Sequence, residues 1–312
     1  MVRGFINVDK PQGMTSFDVV RRIRRAAQTR KVGHAGTLDP NATGVLPIAL
    51  GEATRLIEEL VDARKRYEAE IVFGAATDTY DIDGAVTEEH DASAVDEAAL
   101  RAALAPYEGE VMQRPPAYSA VKREGVTAYR AARQGQPLDL EERPVMVYGV
   151  EVLSFDRTDP ARPRARVDIR CGKGFYVRSL AHDVGQALGV GAHLGALRRT
   201  QVGLFVVEDA TPLDAAVALL EQGELDRLVH APDLVLASWP AVILGSDAEA
   251  RIRRGMDVVA LPGRDYVRGS QRPQARCYGP SGDLVALLEP GKAVGTWHPY
   301  RVFPADLADA PR

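Results

Sequence analysis

Two cysteines are all that 312 residues contain, and Cys171 and Cys277 stand far apart, outside any metal-spaced cluster. That excludes a disulfide-built scaffold and suits a reducing cytoplasm. Long apolar runs are missing too. No stretch approaches the roughly 20 residues that a membrane-spanning helix needs. The opening MVRGFINVDK lacks the apolar region of a secretory signal. The six histidines form no HExxH or similar ligand pair. Neither an internal repeat nor a low-complexity tract is present. What is there is ordinary for a globular protein: 46% hydrophobic residues, enough for a proper core. A chain of this length buries about 75% of its unfolded surface and forms one large domain or two unequal ones.

Excess charge of one sign is also lacking, and the net −4 taken alone argues mildly against a nucleic-acid partner. The distribution says otherwise. Arg21, Arg22, Arg24, Arg25, Arg30 and Lys31 fall within eleven residues that hold no acid. A second cluster runs through Arg162, Arg164, Arg166, Arg170, Lys173 and Arg178, with Asp168 the only acid among them. Against these, Asp78 to Glu97 carries eight carboxylates and no Lys or Arg. Local basic density of this kind is what phosphate binding requires, although solvated helix and strand faces produce it as well.

Phe5, Ile6 and Val8 predict a strand over residues 4–9. Thr15-Ser16-Phe17-Asp18 matches a capping box, and Phe17, Val20, Ile23 and Ala27 then recur at helical spacing with the arginines on the other side. Val45 to Leu50 reads as a strand buried on both faces, and from Tyr67 an alternation with Ala69, Ile71 and Phe73 predicts a half-buried one. Asp78-Thr79-Tyr80-Asp81-Ile82-Asp83-Gly84 invites a calcium reading, but the later EF-hand ligand positions do not fit, leaving a turn with hydrogen-bonding carboxylates. A helix is predicted over 95–106, then an extended, exposed loop over Arg114 to Lys122, then a helix from Thr127 stopped by Gly135. Strands follow at 145–154 and 164–171, and a helix from Val177 to Leu188 capped by Gly189. Thr211-Pro212-Leu213-Asp214 reads as another capping box with Pro at N1, opening a helix that ends at Gly223. From about Ser238 short β-like pieces (Val242 to Leu244, Asp257 to Leu261, Val285 to Leu288) alternate with turns, and helix is scarce.

The chain turns on residues Gly33 to Pro47, GHAGTLDPNATGVLP. Gly33, Gly36 and Gly44 permit positive φ, and Pro40 pushes Asp39 toward an extended conformation. One carboxylate would thus stand on a stiffened loop whose far end is anchored in the core. Asp-Pro alone is usually a plain turn. The longer string closely resembles the motif of bacterial TruB-type tRNA pseudouridine synthases. The likeness continues in order through Asn7 to Ser16, Gly33 to Leu56, Lys65-Arg66-Tyr67, Arg114 to Lys122, Gly174 to Leu180 and Ala192 to Thr200. Two departures, Gly172 where Ser is commoner and Phe175 where Thr is commoner, sit just before Tyr176.

That resemblance implies an α+β fold: a mixed, mainly antiparallel central sheet flanked by helices over residues 1–235, plus a small β-rich PUA-like RNA-binding domain over 238–305. It implies that a specific uridine in the TΨC loop of tRNA, position 55, is isomerised to pseudouridine on a flipped-out nucleotide, with no metal and no cofactor. Asp39 matches the family nucleophile, Arg178 the cation that compensates it, and Tyr67 the pocket tyrosine that stacks on the base. His34 matches the residue that fills the space the base leaves, and Tyr176 and Leu197 match pocket-lining positions. The T-arm stem-loop of tRNA is the implied partner, and a cytoplasmic monomer the default. Two other readings stay open: a non-catalytic RNA-binding protein that keeps the fold, and a metal-dependent hydrolase built on Asp78, Asp81 and Asp83.

Overall fold

The structure, a computed structural model, describes residues 3–123, 125–259 and 274–304. In chain order the first elements are β1 (Gly4–Lys10), α1 (Ser16–Ala26), β2 (Val32–His34), β3 (Thr43–Leu50), α2 (Ile57–Val61) and β4 (Lys65–Phe73). A small hairpin, β5 (Ala75–Thr77) and β6 (Val86–Glu89), precedes α3 (Glu97–Leu104) and β7 (Gly109–Gln113). Then come β8 (Lys122–Arg123), β9 (Val126–Thr127), α4 (Ala128–Arg133), β10 (Arg143–Asp156), β11 (Arg164–Cys171) and α5 (Val177–Ala187). The N-terminal part of the chain closes with β12 (Ala192–Val202), β13 (Phe205–Val206), β14 (Thr211–Pro212) and α6 (Leu213–Gln222). The C-terminal part holds β15 (Ala241–Ile243), α7 (Ser246–Arg253), β16 (Val258–Val259), β17 (Ala275–Tyr278), β18 (Leu284–Pro290) and β19 (Thr296–Val302).

Among the described residues, one sheet runs β14-β1-β3-β12-β4-β11-β10-β7, with β2 and β13 attached to β3 and β12. Only the β1·β14 and β3·β12 pairings are parallel, so the sheet is mixed and mainly antiparallel, as expected. The central β1 and β3 are buried on both faces, which is why their apolar residues run on without alternation. Ile6, Val8, Leu46 and Ile48 face one core beneath α1, α5 and α6. Phe5, Val45 and Ala49 face a second core, which Leu236, Trp239, Leu284, Leu287 and Phe303 complete. The C-terminal five-stranded sheet, β15-β17-β18-β19-β16, therefore leans directly on the back of β1 and β3. It also has a small core of its own around Val242, Ile252, Cys277 and Val285.

Several local readings change. Thr15 does cap α1, its hydroxyl accepting from the Asp18 amide while Asp18 accepts from the Thr15 amide. The buried stripe, however, is Ser16, Val19, Val20, Ile23 and Ala26, and Phe17 lies 60% exposed. Ser16 takes the inward place because its hydroxyl exchanges hydrogen bonds with Leu38. No second capping box forms at α6: Thr211 pairs with Val8 as strand, so the helix starts at Leu213 with Pro212 as N-cap. The 114–122 loop is not wholly exposed; Pro115, Pro116 and Ser119 are buried, because its carbonyls serve α5. In the C-terminal part the eight-residue α7 was not anticipated, and Leu261, at the end of one predicted strand, lies outside the described residues. No described helix is long and apolar enough to cross a membrane.

Leu287, fully buried between the two sheets, tests that seam. Leu287→Ala should lower unfolding free energy in urea titrations by about 2–5 kcal/mol. A loss below about 1 kcal/mol would show that the seam is loosely packed.

Candidate active site

Between β2 and β3 the chain leaves the sheet for eight residues, and the carbonyls from Gly36 to Pro40 all have hydrogen-bond partners. Leu38 exchanges two hydrogen bonds with the Ser16 hydroxyl, at 2.8 and 3.1 Å. The Pro40 carbonyl accepts from the Gly13 amide and from Nζ of Lys10, a fully buried lysine. The Asp39 carbonyl accepts from the Ala42 amide at 3.1 Å, which closes a turn over Pro40 and Asn41. Gly36 and Gly44, with φ of +94° and +99°, let the chain leave and re-enter the sheet, whereas Gly33 has no positive φ. The loop is thus a fixed support for one side chain.

That side chain meets Arg178, from the first turn of α5. Arg178 Nε lies 3.0 Å from Asp39 Oδ2, and the guanidinium is 6% exposed. Its other nitrogens donate to the Tyr118 carbonyl at 2.9 Å and the Thr79 carbonyl at 3.2 Å, and Nη1 lies 3.4 Å from Asp81 Oδ2. The guanidinium is therefore aimed from four sides. Asp39 keeps 42% of its side-chain surface exposed, with dense protein on the remaining sides. Burial pushes its carboxyl above the usual range, Arg178 opposes that, and the neighbouring Asp81 adds to the upward push.

Tyr67 lies on β4, its phenol raised above the ordinary range chiefly by burial, with Arg199 acting the other way. It stays a neutral phenol at neutral pH. The structure brings Asp39, Arg178 and Tyr67 into one electrostatic neighbourhood. His34 ends β2 just before the loop, half-buried, and its imidazole is held below its ordinary pKa by burial and by Arg199. Tyr176 is the N-cap of α5, two residues before Arg178, with its backbone locked by the Gln113 side chain in both directions. Leu197 on β12 packs against the main core and, with Gln12, Asn41, Thr43 and Arg198, lines a cavity of about 300 Å³ beside the loop.

The sequence offers Asp81 only as a turn carboxylate or a metal ligand and gives no sign that it pairs with Arg178. Its turn does use carboxylates as hydrogen-bond acceptors: Asp81 Oδ1 takes the Thr79 hydroxyl and the Asp83 amide, and Asp78 takes the Ala85 amide. The same turn also reaches α5 through Asp81 to Arg178, and the Asp39 loop through Asp83 to Asn41. Among the described residues no group of three His, Cys, Asp or Glu side chains is arranged to hold a metal. Arg199, fully buried, and Lys65, 9% exposed, were not singled out. The second basic cluster is paired by acids from elsewhere in the chain: Arg162 with Glu89, Arg164 with Glu70, Arg166 with Glu68 and Lys173 with Asp62. Such exposed pairs hold their geometry weakly and can exchange for a polyanion.

The family model described as TruB family pseudouridylate synthase (N terminal domain) matches residues 24–177, and that of the tRNA pseudouridylate synthase B C-terminal domain matches 178–236. A tRNA pseudouridine synthase B of Dehalococcoides mccartyi is 38% identical over 303 residues, 97% of each chain. One from Ruegeria pomeroyi is 43% identical, covering 97% of this chain and 96% of its own. Among solved structures, a Cbf5-Nop10-Gar1 complex contains a chain of TM-score 0.72 and 30% identity, over 98% of this chain and 86% of that one.

The raised Asp39 carboxyl carries a sign for stability. Between the ordinary carboxylate range and the raised value, the folded chain holds a proton that the unfolded chain has released, so this group's contribution falls as pH rises. Asp39→Asn removes that slope. Melting temperatures of variant and wild type should be closest at about pH 4 and separate in the variant's favour toward neutral pH. A wild type that gains on the variant as pH rises would contradict the raised value.

Proposed function

The chain belongs to the TruB family of pseudouridylate synthases, and we propose that it isomerises the uridine at position 55 of the tRNA T-loop, with Asp39 as nucleophile. The observation that carries this reading is the Asp39–Arg178 contact of 3.0 Å on a loop whose backbone is held from several sides. The reaction breaks the C1′–N1 bond of uridine and joins C1′ to C5. The C5 proton leaves, and N1 ends protonated, so atoms balance without redox chemistry. A carboxylate can hold one half of the substrate covalently while the base turns. Attack at C1′ and attack at C6 both suit an ionised Asp39.

The residues around it divide the remaining work. Arg178 keeps Asp39 available as an anion in surroundings that otherwise favour the acid. Tyr67, neutral and packed in the sheet, offers a flat face to the uracil. The target nucleotide must leave its stack to reach these groups. His34, neutral and half-buried at the rim of the loop, is suited to occupy the space the base leaves. Leu197, on the wall of the cavity beside the loop, and Tyr176, two residues before Arg178, are suited to contact the nucleotide.

Recognition of the T-arm rests on phosphate contacts that position the RNA. Arg25 and Arg30, both exposed, and the exchangeable arginine pairs of β11 supply charge for that. In the C-terminal PUA-like module, 238–305, Arg251 and Arg254 are candidates for further contacts. Arg253 is committed internally to Glu249 and the Phe303 carbonyl.

The test is pseudouridine mapping on an unmodified tRNA incubated with purified protein. Wild type should convert position 55, and folded Asp39→Asn should convert nothing. Turnover by Asp39→Asn, or binding without conversion by wild type, would overturn the assignment, the latter in favour of a non-catalytic RNA-binding protein.

A further inference from the structure

Arg199 is a guanidinium sealed in the protein, 1% exposed, yet its hydrogen bonds go to uncharged partners, three backbone carbonyls and the Tyr67 phenol, rather than to a carboxylate. Burying a cation on such terms is unfavourable compared with an apolar side chain of similar size. Its acceptors explain the placement. Nε donates to the Val45 carbonyl at 2.7 Å, Nη2 to the Gly36 carbonyl at 3.1 Å, and Nη1 approaches the Thr37 carbonyl at 3.5 Å. Gly36 and Thr37 precede the Asp39 turn and Val45 follows it, so one side chain spans both ends of the loop.

The backbone of the same residue adds two further ties. On β12, Arg199 is the register partner of Gly44 in β3 on one side and of Tyr67 in β4 on the other. A Cβ at Gly44 would come within 2.2 Å of the Arg199 carbonyl oxygen, so the loop's exit is fitted closely to this position. A Cβ at Gly36 would stand 3.4 Å from Arg199 Nη1. Arg199 thus lies where the loop that carries Asp39 meets the strand that carries Tyr67.

We infer that Arg199 is a positioning residue that fixes the Asp39 loop relative to Tyr67, so that the carboxylate and the aromatic face meet one nucleotide in register. This rests on the functional reading given above. The planar fork is the feature that matters, because three acceptors on two segments need several donors in fixed directions. An ammonium keeps the charge without that geometry. The guanidinium also lowers the Tyr67 phenol, the Lys10 ammonium and the His34 imidazole, as a cation in their midst should.

Arg199→Lys and Arg199→Gln test it in the full chain. With T-arm transcript as substrate, kcat should fall about a hundredfold in both, the scale expected for misplacement by about 1 Å. KM and RNA affinity should stay within about threefold, since no phosphate or base contact is removed. Amide hydrogen exchange should quicken over residues 36–45 and stay unchanged in β4. Wild-type kcat in both variants, or KM rising as steeply as kcat falls, would overturn the proposal. Failure of both variants to fold would place the work of Arg199 in the core and overturn it as well. A wild type that makes no pseudouridine sinks the functional reading instead, while the exchange measurement still tests the pinning.

Discussion

One charge pair decides what the rest of the structure must do: the Asp39 carboxylate against the Arg178 guanidinium, 3.0 Å apart. A carboxylate largely surrounded by protein is driven toward its neutral acid, and a neutral acid is no nucleophile. The cation must therefore arrive from outside the loop and be held rigidly. The fold supplies it from α5, whose N-terminus is tied to the 113–118 segment through Gln113, Arg114 and Tyr118. Asp81 shares the guanidinium and keeps Asp39 from drawing its full benefit. The carboxyl is left poised rather than locked as an anion, which suits a group that must form and then break a bond.

The loop itself is built on the opposite principle, with buried cations turned to neutral acceptors. Lys10 donates to the Pro11 and Pro40 carbonyls, Lys65 to those of Val61 and Ala63, and Arg199 to both flanks of the turn. Burial brings Lys10 and Lys65 down to about 8, with Arg199 contributing in each case. Of these three buried cations, Lys10 is the one that bears on the Asp39 carboxyl. All three trade stability for a fixed backbone, whereas the apolar core beneath α1 and the seam around Leu287 carry the burden of folding.

Much of this arrangement was legible in the residues alone. The glycines, prolines and single carboxylate of the 33–47 stretch announced a stiff loop, and the continuous apolar run of β3 announced its anchorage. What sequence could not deliver was pairing across the chain. Asp81 sits in an acidic stretch with no neighbouring cation and reads as a turn of hydrogen-bonding carboxylates; its charged partner comes from a helix far downstream. The arginines of β11 looked like an uncompensated basic strip because Glu68 and Glu70 lie on β4, the strand that antiparallel pairing sets beside it. Arg199 was hidden in an arginine pair, and strand alternation gives no reason to expect the second arginine inside. Phe17 misled for a local reason: a hydroxyl at Ser16, bonded to Leu38, outweighed an aromatic ring for the inward position.

The site depends most on Arg178 holding the Asp39 carboxyl down against its surroundings. The direct measurement is an NMR titration of the Asp39 carboxyl carbon in wild type and in folded Arg178→Gln. Wild type should titrate above the usual carboxylate range, and the variant higher still. Coincident curves, or a downward move in the variant, would contradict that dependence.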